Sequence, residues 1–256
     1  MAKLTVELIP LLRDNYAYLL IEPETGTTGV VDPGEAGPVL QALEVRGRRL
    51  DWVLVTHHHE DHIGGLAEVK SATGCKAVGP RSDFARIPGL DQTVAEGESF
   101  ALGHAVSRVF DTPGHTSGHI AYYFPDTPAL FAGDTLFALG CGRLFEDTPE
   151  AMWTSLGKLA SLPRETRVYC GHEYTLANAR FALTVDPDNA ELAARARRVE
   201  DARERGEPTV PFTIGEETAT NPFLRADEPA IRQHLGLAEE PAAEVFAEIR
   251  RRKDRA

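Results

Sequence analysis

Positive charge is scarce in this chain. Lysine and arginine together number 27 against 39 aspartates and glutamates, a net charge of −12. A nucleic-acid partner needs a basic face to meet its phosphates, so that class is set aside and a small-molecule partner is expected. Cysteine is scarce as well: Cys75, Cys141 and Cys170 are odd in number and far apart. They make no disulfide framework and read as free thiols of a reducing compartment. No apolar run approaches the roughly 18 residues that span a bilayer. The opening "MAKLTVELIP" alternates polar and apolar residues where a signal peptide would carry a long apolar stretch. A cytoplasmic monomer with no membrane partner is expected. Internal repeats and low-complexity segments are lacking, so nothing points to a solenoid or an interaction tail.

What is present is ordinary globular chemistry, 42% hydrophobic and 26% charged residues over 256 positions. That length buries a core without staples, as one large domain or one domain with a smaller companion. "LTVELIP", "NYAYLLIE" and "TTGVVDPG" read as an N-terminal strand meander. Val39 to Arg46 is helix-like, "DWVLVT" is a buried strand, and Ile63 to Ala72 is a helix with Leu66 and Val69 inward. "CKAVG", "ESFAL", "AVSRVF", "IAYYF", "ALFAG" and "TRVYC" are further strands. Thr148 to Leu162 is helical, with Thr148 as N-cap and Pro149 at the first helical position. Beyond His172 only helical patterns follow. The expected division is an α/β body over 1–172 and a helical tail over 173–256.

Ligand-type side chains fall at strand ends. "DWVLV" runs into "THHHEDH", "AVSRVF" into "DTPGHTSGH", "ALFA" into "GDT", and "TRVYC" into "GHEYT". Sites in open α/β sheets gather at the carboxyl ends of strands. Neighbouring strands would therefore bring His57, His59, Asp61, His62, His115, Asp134 and His172 to one edge. Five imidazoles and two carboxylates exceed one four-coordinate ion. With a bridging carboxylate they suit two ions about 3.5–4 Å apart. His57 and His59 alternate and point the same way in an extended segment, while His58 points away. Asp61 and His62 lie past the bend, near the start of the next helix, and Gly64 and Gly65 leave room for a close turn. Single histidines are most often surface or core residues with a hydrogen-bond partner, and His104, His119 and His234 are read that way. His119 can also orient a ligand from behind.

The series H-x-H-x-D-H, the histidine of "TPGHTSGH", the aspartate of "AGDTLF" and the histidine of "GHEYT" resembles the metallo-β-lactamase superfamily. That resemblance implies an αββα sandwich with a binuclear centre. One ion would take His57, His59 and His115, the other Asp61, His62 and His172, with Asp134 bridging. The lactamases proper carry cysteine where this chain has Asp134, which speaks against antibiotic hydrolysis. "CGRLFEDT", "GHEYTLANARFAL", "NPFLR" and "IRRRKD" are similar to the glyoxalase II (hydroxyacylglutathione hydrolase) family over nearly the whole chain. The resemblance implies hydrolysis of S-D-lactoylglutathione to glutathione and D-lactate by a hydroxide held between two divalent ions. Asp61 and Asp134 would be ligands able to accept a proton. Nitrogen and oxygen donors suit zinc first, and iron or manganese as well. It also implies glutathione contacts from Arg143, Tyr174, Arg250 and Lys253. Phe145 departs from family forms with tyrosine there and removes one hydroxyl.

The tail supports part of this by pattern alone. Ala242, Val245, Phe246 and Ile249 make one apolar helix face, and Arg250 and Lys253 continue it while Arg251, Arg252 and Arg255 turn outward. Cations that prolong a buried stripe call for an anion. Complementation of the helix dipole accounts for the outward ones. Cys141 and Cys170 lie close to site motifs, but no activating base is evident and they read as packing residues. Two other readings stand beside the hydrolase: a persulfide dioxygenase of the same superfamily, with one iron on two histidines and one aspartate, and a non-catalytic metal-binding protein.

Overall fold

A hairpin opens the computed structural model, which describes residues 3–256. Contact density divides the chain into two compact units, one of residues 1–111 and 117–133, the other of 112–116 and 134–256.

In the first unit β1 (Thr5–Leu11) and β2 (Asn15–Ile21) pair antiparallel, with Leu11 opposite Asn15 across the turn. β2 pairs antiparallel with β3 (Thr28–Val31), which starts a parallel series through β4 (Trp52–Leu54), β5 (Lys76–Pro80) and β6 (Gln92–Val94). Parallel neighbours require crossovers, supplied by α1 (Ala36–Arg46) and by α2 (Glu60–Ile63) with α3 (Leu66–Thr73). β7 (Ser99–Leu102), β8 (Ala105–Asp111), β9 (Ile120–Phe124) and β10 (Ala129–Gly133) form an antiparallel series in the same unit.

The side-chain period of two sorts the first sheet's faces. Ala17, Leu19 and Ile21 of β2 join Val30, Val53 and Ala77 in a core closed by Val39 and Leu43 of α1 and Leu66 and Val69 of α3. On the opposite face Tyr18 meets Phe131 of β10 at 5.7 Å between ring centroids, and Trp52 meets Phe100 of β7 at 5.0 Å. Buried Tyr122 of β9 donates its hydroxyl to the Val55 carbonyl at 3.1 Å. Helices on one face and a second sheet on the other give this unit the αββ part of the expected αββα sandwich.

The second unit begins with the short hairpin β11 (Leu136–Phe137) and β12 (Gly140–Cys141), then α4 (Pro149–Ala160) and β13 (Arg167–Cys170). It continues as α5 (Thr175–Val185), α6 (Ala190–Glu204), β14 (Phe212–Thr213), α7 (Ile214–Thr220), α8 (Pro229–Leu235) and α9 (Ala242–Arg255). Thr148 caps α4 through the Ala151 N–H with Pro149 behind it, as the sequence indicates. Ala179 and Ala182 of α5 pack on Leu192, Ala196 and Val199 of α6. Phe246 of α9 meets Trp153 of α4 at 5.9 Å and Phe223 at 5.8 Å. No helix among the described residues is long and apolar enough to cross a membrane.

Two expectations need correction. The helix expected over Ile63 to Ala72 is two helices broken at Gly64–Gly65. A β-carbon on Gly65 would lie 2.6 Å from Pro33 O and from the Ala36 nitrogen, so backbone passes where a side chain cannot. The stretch after His172 does contain a strand: Phe212 and Thr213 of β14 pair antiparallel with Val168 and Arg167. A two-residue pairing leaves no periodicity to read.

Candidate metal centre

Each unit carries its own set of the expected ligand residues. In the first unit the parallel pairing of β3 and β4 sets Asp32 beside Thr56. The Asp32 N–H donates to Leu54 O at 3.0 Å, and the residue adopts φ 49. Its buried carboxylate accepts from Thr56 N at 2.8 Å, from Thr56 Oγ1 at 2.7 Å, and pairs with His62 Nδ1 at 3.0 Å. Having donated to Asp32, the Thr56 hydroxyl accepts from His57 Nδ1 at 3.0 Å. One carboxylate thus fixes two rings in the tautomer whose Nε2 carries the lone pair, which is the tautomer a metal ligand needs.

The His57 ring lies 4.1 Å from His62 and 4.8 Å from His59, centroid to centroid, and stacks on His119 at 4.7 Å. His59 occupies the N-cap position of α2, which places Asp61 and His62 in its first turn. Asp61 Oδ2 accepts from Asn15 Nδ2 at 3.0 Å and lies 3.9 Å from His62 Nε2. A β-carbon on Gly34 would sit 1.9 Å from Asp61 O, so that close pass requires glycine. His58 turns aside as expected, to Asp83 at 3.0 Å. Asp32, His57 and His62 also offer ligand atoms within 4.8 Å of one another, but the bonds that Asp32 accepts make it the orienting group.

In the second unit Asp134 Oδ2 stands between His115 Nε2 at 3.4 Å and His172 Nε2 at 3.2 Å. His115 donates Nδ1–H to Arg143 O at 2.8 Å, so its Nε2 lone pair faces the carboxylate. With the imidazoles neutral, acceptors so placed repel unless a cation lies between them. This donor set therefore fits a divalent metal, and His, His and Asp are first-row ligands. Tyr174 stacks on His172 at 4.6 Å and 6° between planes, and Phe137 meets both edge-on at 5.9 and 5.4 Å. The Phe145 ring lies 5.2 Å from His115.

The expected glutathione contacts lie in this second unit. Arg143 is exposed and Tyr174 half-exposed. Arg250 is only 5% exposed, donates NH1 to Cys141 O at 3.0 Å and lies over Phe223 at 5.1 Å. Lys253 donates to Ala177 O at 3.2 Å over the Phe181 ring, and burial, then Arg250 and Arg143, lower its pKa. Arg251, Arg252 and Arg255 are exposed. All three cysteines are buried and free; burial pushes the Cys141 thiol up to about 11 and Cys170 higher still. His104 and His234 have surface partners, Glu24 at 3.0 Å and Thr184 O at 3.1 Å.

A family profile described as Metallo-beta-lactamase superfamily matches residues 12–172, and one described as Hydroxyacylglutathione hydrolase C-terminus matches 173–256. The chain belongs to the hydroxyacylglutathione hydrolase family. It is 61% identical over 246 residues to the hydroxyacylglutathione hydrolase of Methylococcus capsulatus, 96% of each chain. Among solved structures, ETHE1 from Myxococcus xanthus is similar at TM-score 0.68 and 25% identity over 96% of this chain and 90% of that one. TTHA1623 in a di-iron-bound form is similar at TM-score 0.61 and 28% identity over 86% and 100%. The α/β metallo-β-lactamase fold and the hydrolase reading drawn from the motifs hold across the chain.

Proposed function

We propose that His57, His59, Asp61, His62, His115, Asp134 and His172 hold two divalent ions, and that the protein hydrolyses S-D-lactoylglutathione to glutathione and D-lactate. The observation that carries this reading is the Asp134 carboxylate oxygen between two imidazole Nε2 atoms at 3.4 and 3.2 Å. The name of the Methylococcus relative and the di-iron form of TTHA1623 support it. Such a pair of ions, when bound, would supply a water with its pKa lowered to about 7 and a Lewis acid for the carbonyl oxygen.

The chain's own residues do the rest. Asp32 and the Arg143 carbonyl keep His57, His62 and His115 in ligand tautomers. Asp61 and Asp134 can take up the proton that the attacking water loses. The leaving group is a thiolate whose conjugate acid has a pKa of about 8.5, so no strong general acid is required. Arg143, Tyr174, Arg250 and Lys253 recognise the tripeptide and hold the reacting bond in place. We assign residues 1–172 to catalysis and 173–256 to glutathione binding, with Arg143 contributed by the former, in line with where the two profiles meet. Zinc is the proposed occupant, and the free buried thiols fit a reducing, cytoplasmic compartment.

Thioester hydrolysis should be measured with elemental analysis on the same sample. Turnover with two ions per chain is expected, and Asp134→Ala should lose metal and hydrolysis together. Metal-replete protein that leaves the thioester intact, or full activity in Asp134→Ala, overturns the reading.

A further inference from the structure

The basic cluster expected to meet glutathione already holds a carboxylate of its own. Asp254 Oδ1 lies 2.8 Å from Arg250 NH2, 3.0 Å from Arg250 Nε and 4.0 Å from Arg143 Nε. Nε and NH2 form the edge of the guanidinium that grips a carboxylate bidentately. The remaining terminal nitrogen of Arg250, NH1, is committed to Cys141 O, and the ring of Phe223 backs the group. Arg250 therefore has one fork for an incoming anion, and Asp254 sits in it. Asp254 is also the sole acid in "RRRKDRA", among Arg250, Arg251, Arg252, Lys253 and Arg255. It lies in the last turn of α9, where the helix dipole disfavours an anion. Its carboxylate is held there by the fork rather than by the helix.

We propose that Asp254 is a specificity-determining residue: an internal stand-in for the substrate's glycine carboxylate that occupies the Arg250–Arg143 fork and yields it on binding. The inference rests on the glutathione-thioester reading. Because Asp254 is partly exposed, the exchange is shallow: an anion that fits both arginines displaces it, and a neutral or poorly aligned end does not. With Arg143, Arg250 and Lys253 against Asp254, the free cluster carries two surplus positive charges instead of three. The carboxylate thereby limits non-specific capture of anions while leaving the fork preorganised.

The test is steady-state hydrolysis of S-D-lactoylglutathione by wild type, Asp254→Asn and Asp254→Glu, with the inhibition constant of S-methylglutathione as a binding readout. The same series is run on the thioester whose glycine carboxylate is an amide. Asp254→Asn should lower KM and the inhibition constant about two- to fivefold, the range of a partly exposed ion pair, with a smaller change in kcat. Asp254→Glu should keep wild-type values, and the amide substrate should not distinguish the variants. A KM unchanged or raised in Asp254→Asn, or an equal gain on the amide, overturns the inference while wild-type turnover still upholds the hydrolase. A wild type that does not hydrolyse the thioester overturns both.

Discussion

Replacing Asp32 by asparagine should weaken metal binding without unfolding the protein. The carboxylate is 4% exposed and takes three hydrogen bonds, two from Thr56 and one from His62 Nδ1. Alanine would strand at least two buried donors, at about 1–3 kcal/mol each. Asparagine is milder because its carbonyl can still accept the Thr56 N–H. Its amide then stands where Oδ2 stood and donates, so His62 Nδ1 must become the acceptor and the ring proton moves to Nε2. That proton occupies the lone pair proposed for the metal. Orienting partners of this kind are worth about 10–100-fold in metal affinity, or roughly 1.4–2.7 kcal/mol. Competition against a chelator measures the affinity, ring-nitrogen NMR reports the His62 tautomer, and hydrolysis at saturating metal separates occupancy from turnover. Wild-type affinity for both ions in Asp32→Asn would refute the argument that this carboxylate sets the ligand tautomers.

Three further outcomes follow from buried or networked groups elsewhere. Arg195 and Glu217 are a buried pair at 2.5 Å, and Glu217 Oε2 also accepts from Leu139 N at 2.9 Å and Asn221 Nδ2 at 2.7 Å. Arg195→Ala should cost about 3–5 kcal/mol in denaturant unfolding, and a loss below about 1 kcal/mol would contradict that. The Thr25 hydroxyl and the backbone N–H groups of Glu24 and Thr25 hold Glu22 down from 4.5 to about 2. A depressed carboxylate stabilises the fold above its ordinary pKa and ceases to do so as pH falls through the folded value. The stability gap between wild type and Glu22→Gln should therefore be full above about pH 4.5 and narrow toward pH 2, and a constant gap would reject it. Because burial raises Cys141 and Cys170, native thiols should resist alkylation at neutral pH and react on unfolding. Rapid labelling of folded protein would show a reactive thiolate instead.

Strand-end placement makes the proposed ligand side chains legible, because a turn bearing His or Asp after an apolar strand is a local pattern. Asp32 obeys the same rule at the end of "TTGVVDPG", but Asp-Pro-Gly is also ordinary turn chemistry, so the pattern alone marks it as a turn residue. The split at Gly64–Gly65 depends on the Pro33–Ala36 backbone, which is distant in sequence, so helical periodicity ran through it. The spacing from Phe246 turns Arg250 inward but does not name its partners. Cys141 O is 109 residues away, and no pattern in a helix announces a distant carbonyl.

The proposed binding and ligand roles are tied together at Arg143. Arg143 offers its side chain to the Asp254 carboxylate at 4.0 Å and its carbonyl to His115 Nδ1 at 2.8 Å. A residue proposed to grip substrate with its guanidinium therefore sets the tautomer of a proposed metal ligand with its backbone. A side-chain substitution at Arg143 leaves that carbonyl in place, so Arg143→Ala should raise KM while the metal content holds. Loss of metal in Arg143→Ala would mean that the guanidinium, and not the backbone of "CGRLF", keeps the carbonyl aimed at His115.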